Sequence, residues 1–201
     1  MSRRMGRFVY GTTPTWGTWT PSSGASQAAE VAGEVADSDF GRKCVAEAIR
    51  DYDREIARVD GLVGTAVWVP QPEPGLPMAV MVAGAVRGDA AMPTAEEYLE
   101  ELRRPVKRRG VKVLDRTVER VDLPVGPAVV EIEISASRMS RREVCGVAWT
   151  VFPDGYLDTV QLHYRTAFPG VLDALRGESE LMVGSLQIQP LRQPVGDEGE
   201  S

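Results

Sequence analysis

The stretch that most constrains this chain is residues 143–164, where EVCGVAWTVF and YLDTVQLHY flank Pro153-Asp154-Gly155. Both flanks are rich in β-branched and aromatic residues, which fit a pleated surface. Glycine accepts the positive φ of a tight reversal, and proline and aspartate suit the positions before it. The pattern predicts a hairpin with two antiparallel arms. The segment AVVEIEISA (128–136) alternates just before it. Val130, Ile132, Ile134 and Ala136 point one way, and Glu131, Glu133 and Ser135 the other, the mark of a half-buried antiparallel strand. VKVLDRTVERVDL (111–123) alternates more loosely and meets it through the turn LPVGP. Strands that are apolar on one face need a second layer to cover that face.

Helices supply the cover. Val45, Ala48, Ile49, Tyr52, Ile56 and Val59 recur at spacings of three and four across 40–59, one stripe of an amphipathic helix. Asp60-Gly61 suits its left-handed end. Residues 26–37 are rich in Ala and Glu and predict a shorter helix capped by Ser26. Thr94 and Glu97 form a capping box for a helix over 93–105, which Pro105 stops. A last helix is expected from Pro169 to Gly184, with SLQIQP as an edge segment beyond it. LVGTAVWVP (62–70) and MAVMVAGAVRG (78–88) read as strands, the second apolar on both faces and therefore central. The resulting fold class is α+β, a central antiparallel sheet of about five to seven strands with helices on both faces. Residues 1–190 are expected to form one domain with a weakly structured start over 1–25, and 191–201 an acidic, disordered tail.

Charge and cysteine content bound the function. The net charge is −6 over 201 residues, which argues against a dedicated nucleic-acid binder. No window is long and apolar enough for a membrane helix, and the basic start lacks the apolar run of a secretion signal, so a cytoplasmic protein is expected. Cys44 and Cys145 are expected to be free and buried, although their pairing is open. With one His, a multi-His metal centre is impossible, and no phosphate-cradling glycine motif or C-x-x-C pair is present. The expectation is therefore a protein without a cofactor.

The candidate chemistry is sparse. His163 could act as a general base with an acid the sequence does not reveal, in a small hydrolase or isomerase. No G-x-S-x-G elbow accompanies it, so a surface or structural role is the preferred reading. Asp154, Asp158 and Asp173 lack a cation-loop spacing, and the turn accounts for Asp154. Trp16 and Trp19 lie three apart on an expected strand, so one of them should be exposed. The segment RRPVKRRGVK departs most from its surroundings: Arg103, Arg104, Lys107, Arg108, Arg109 and Lys112 are gathered without an acid in an acidic chain. Such a patch favours an acidic partner surface.

The pieces WVPQPEPGLPMAVMVAG, TAEEYLEEL, VDLPVGPAVVEIEI, VFPDGYLDTVQLHY and MVGSLQI, in this order over roughly residues 8–188, resemble the PsbP-like fold family and its actinobacterial LpqN-type members. That resemblance implies a three-layer α/β/α sandwich and a mostly non-catalytic, partner-binding role. LpqN-type proteins carry a signal and a lipid-modified Cys that this chain does not show, so no anchor and no functional residue carry over. The expected function is a non-enzymatic protein-interaction or binding module, with the His163 enzyme, or a binder of an anionic partner through the basic segment 103–112, as the alternatives.

Overall fold

In the computed structural model, residues 3–88, 93–105 and 109–191 are described. Among them the strands form two antiparallel sheets. The larger has seven strands in the order β2 (Trp16–Trp19), β3 (Leu62–Trp68), β4 (Ala79–Val86), β8 (Thr159–Thr166), β7 (Glu143–Val151), β6 (Gly126–Ser137) and β5 (Val111–Leu123). The smaller pairs β1 (Met5–Val9) with β9 (Gln187–Pro190). The helices are α1 (Gly24–Val35), α2 (Asp39–Ile56), α3 (Ala95–Leu102) and α4 (Leu172–Gly184). This is the α+β class read from the sequence.

Alternation along the strands divides the apolar residues between two faces. Val130, Cys145, Val147, Trp149, Leu162 and Tyr164 pack against Leu175, Met182 and Val183 of α4 and against Met5 and Phe8 of β1. Each large side chain so buried contributes about 1.5–3 kcal/mol. On the other face α1 and α2 cover Val67 and Val69, and α3 covers Val129. β4 contributes to both faces, as its unbroken apolar run requires: Met81 and Ala83 on one, Val80 and Val82 on the other.

Several expectations change. Trp16 and Trp19 do lie on opposite faces, yet both are buried, because both faces are covered there. α1 begins at Gly24, not after Ser26, and Ser23 makes no side-chain cap. Asp53 of α2 supplies the acceptor instead, at 3.0 Å from Gly24 N, 2.9 Å from Ser22 N and 3.1 Å from Trp19 Nε1. The second hairpin arm starts at Thr159, not Tyr156. Tyr156 bridges Arg3, and Asp158 turns into the interior. Both cysteines are free, but Cys44 is only half-buried. The expected weak start carries β1 and β2, anchored by Met5, Trp16 and Trp19. Of the expected disordered tail only Leu191 is described: it is exposed, and its N–H donates to Arg4 O. Residues 192–201 lie outside the described residues.

Candidate functional site

The face carrying α1, α2 and α3 is not covered throughout. α2 lies at the β3 end and α3 at the β5–β6 end, and the sheet between them is open. Strand register dictates what stands on this floor. One row runs Val82, His163, Ala148, Glu131, Val118, and the next Val80, Arg165, Gly146, Glu133, Arg116. β7 contributes only Gly146 and Ala148 at the centre, so the floor sinks there into a trough. A cavity of about 320 Å³ occupies it, bordered by Tyr52, His163, Arg165, Glu131 and Glu133. A second cavity of about 230 Å³ adjoins it through Tyr52, Val144 and Arg165, and is lined largely by apolar groups including Met78, Val80 and Phe168.

The charged groups are held in place. Arg165 pairs with Glu55 of α2. Arg116 Nε lies 2.6 Å from Glu131 Oε1 and 3.9 Å from Glu133 Oε2. His163 is exposed at the trough, and its Nε2 lies 3.4 Å from Gln161 Oε1. Desolvation by the surrounding protein lowers the His163 pKa, partly opposed by the charge of Glu131. That shift favours the neutral imidazole. Burial pushes the Tyr52 phenol up to about 12, while Arg165 pulls it down and Glu55 pushes it up. The arrangement can bind polar groups of both signs beside an apolar annex.

The basic segment is divided. Arg103 ends α3, with Nη1 2.7 Å from Glu100 Oε1. Arg104 is exposed, and its carbonyl accepts from Arg116 Nη1 at 3.4 Å. Arg109 is exposed. Lys112 pairs with Ala136, one step out of phase with Val113, and stands on the sheet face away from α3. Lys107 and Arg108 lie outside the described residues. Asp158 is no cation ligand: it accepts from Met5 N at 2.8 Å, Arg4 Nη1 at 2.9 Å, Gly88 N at 3.2 Å and Arg87 Nη1 at 3.2 Å. Among the described residues no group of His, Cys, Asp and Glu is placed to hold a metal ion. No helix among them is long and apolar enough to cross a membrane.

Sequence reasoning missed Tyr52, Arg116 and Arg165 as parts of one site, since three separate elements bring them together. A signal was present in β7, where Gly146 and Ala148 are the small residues on the side opposite Cys145, Val147 and Trp149.

No family model and no curated protein matches the chain. Among solved structures it is similar to LpqN of Mycobacterium tuberculosis, a protein involved in cell envelope biogenesis. The two share 12% sequence identity and a TM-score of 0.47, over 94% of this chain and 90% of that one.

Proposed function

We propose that this protein is a non-enzymatic binding module that receives its partner on the open sheet floor between α2 and α3. The observation that carries this reading is the trough over Gly146 and Ala148, with fixed charges on both sides and an apolar annex at one end. Concave, partly apolar sites with a few placed polar groups are where proteins bind ligands. Arg103, Arg104 and Arg109 at the α3 end favour an acidic protein partner against the −6 background. Lys107 and Arg108 of the same segment belong to this proposal through their charge, whereas Lys112 stands on the opposite sheet face. No cofactor is part of it. The same proposal puts the protein in the cytoplasm, where free thiols such as Cys44 and Cys145 persist. The test is Ala148→Arg, which fills the trough from its floor. It should abolish capture of a native partner from extract while leaving the melting temperature within a few degrees. An unchanged set of captured proteins would remove the trough from the argument.

One observation favours the enzyme reading: desolvation favours the neutral imidazole of His163, and the opposing charge of Glu131 reaches it across Ala148. A neutral imidazole is what a general base needs. His163→Ala should shift stability by less than about 0.5 kcal/mol, since the side chain is exposed. Loss of partner-dependent turnover in that variant, with the fold intact, would select the enzyme.

A further inference from the structure

The apolar annex beside the trough has a size, a charge balance and one polar group that together specify a guest. Ala48 and Tyr52, one turn apart on α2, border it from the helix. Val80, Arg165 and Val144 border it from the same face of the sheet. Met78 and Phe168 complete the border, and Phe168 is 47% exposed.

The volume is about 230 Å³. Sites for whole small molecules begin at about 300 Å³. A cavity of about 150 Å³ is enough for a benzene ring. The annex therefore suits one substituted ring. The ionic groups that border it are Arg165 and Glu55, and they pair with each other. A charged guest would lose its water there without meeting an unpaired countercharge, so the guest is neutral.

Two hydroxyls remain. Thr166 Oγ1 is already engaged, donating to Met78 O at 2.6 Å and accepting from Phe168 N at 3.0 Å. Tyr52 is different. It is 9% exposed, yet its hydroxyl bonds to no other described residue. The charges of Arg165 and Glu55 both reach the phenol, which sets its hydroxyl at their side of the annex. With its pKa pushed up to about 12 it stays protonated at pH 7, able both to donate and to accept. An aliphatic guest, or a plain phenyl ring, would cover this hydroxyl and leave it unbonded. A guest phenol answers it in either direction. The Met78 thioether and the Phe168 ring favour an aromatic guest as well.

We infer that the annex is an anchor pocket for one tyrosine side chain of the partner protein, its ring between α2 and the sheet and its hydroxyl bonded to that of Tyr52. The inference rests on the open sheet floor being the partner's docking surface. A buried aromatic anchor in a preformed pocket is where protein interfaces concentrate their affinity.

The probes are N-acetyltyrosinamide and N-acetylphenylalaninamide, both neutral and differing by one hydroxyl, titrated into the full chain and followed by NMR. One saturable site with Kd below about 10 mM is expected for the first, and binding about fivefold weaker for the second. Tyr52→Phe should bring the two affinities together and leave that of the phenylalanine amide unchanged. Ala48→Leu, which fills the annex from the helix, should abolish both and keep the melting temperature within a few degrees. If Ala48→Leu fails to fold, Tyr52→Phe carries the same test. Equal affinity of the two amides for the unaltered chain would overturn the inference, as would absence of binding or a hydroxyl preference that survives Tyr52→Phe. Partner capture that Ala148→Arg abolishes and Ala48→Leu leaves intact would overturn the anchor while the docking surface stands. Capture untouched by either variant would overturn the docking surface and, with it, the partner as the source of the tyrosine.

Discussion

Asp158 shows how much one buried carboxylate can organise. It is 1% exposed, and it ties the backbone of β1, the segment after β4 and the start of β8 to one point. Burial by itself would raise its pKa. The bonds from Met5, Arg4 and Gly88 and the charge of Arg87 outweigh that and hold the carboxyl below its ordinary value. In the unfolded chain it titrates near about 3.9. The unfolded state therefore binds more protons than the folded one between the two values, and stability rises with pH through that window. The contribution is complete above the unfolded value and is lost as pH falls through the folded one. Asp158→Asn should cost about 2–3 kcal/mol at pH 7, because two backbone donors and two arginines lose a charged acceptor. Urea denaturation at pH 7 and pH 3 checks this: the gap between the variant and the original should narrow at the lower pH. A constant gap would mean that the charge is not what stabilises.

At the level of elements, the β5–β6 hairpin and α3 illustrate opposite degrees of local control. Gly126 sits at φ +136°, and a Cβ there would lie 2.4 Å from Phe152 O and 2.8 Å from Asp154 N. No rotamer relieves a clash with backbone, so Gly126→Ala should destabilise by at least about 2 kcal/mol, measured by chemical denaturation. A smaller effect would show that the hairpin can shift. The start of α3 is set by its own sequence: Thr94 Oγ1 accepts from Glu97 N at 3.3 Å, and Glu97 Oε2 accepts from Thr94 N at 2.8 Å. The bonds that the Glu97 carboxylate accepts from Thr94 N and Thr94 Oγ1 lower its pKa. Thr94→Ala should cost about 1 kcal/mol. It should also loosen the packing of Leu99 and Tyr98 over Val129 and Phe152, visible as line broadening of those resonances.

For the molecule as a whole, the sheet belongs to both cores. β4, β8 and β7 lie in its middle, hydrogen-bonded on both sides and packed from one face by α4 and β1. Among the described residues, β1 and β9 pair only with each other. Native-state hydrogen exchange should therefore find the slowest amides at Met81, Leu162 and Val147, and much faster exchange in β1 and β9. Equal protection in the two sheets would show that the small ribbon unfolds only with the whole. Heat should give one transition, because α1–α2 and α4 cover opposite faces of the same strands and neither layer keeps its core without them.

Local chemistry made the element types readable from the sequence. The 3.6-residue stripe of α2, the capping box of α3, the apolar run of β4 and the hairpin around Gly155 each carry their cause within a few residues. The odd spacing of Trp16 and Trp19 sets them on opposite faces. Their shared burial was not legible, because it depends on α1–α2 covering one face while α4 and β1 cover the other. Asp53 and Asp158 look like ordinary polar residues in the chain, and their partners are 29 or more residues away. The trough is of the same kind. Its floor is an alternation that the sequence shows, but its walls meet only through the β4–β8–β7–β6 order, and its opening exists only because α2 and α3 stop short of each other. Periodicity reports which side of a strand a residue occupies. Which strand lies next to it, and whether a helix covers it, is decided by contacts distant in sequence.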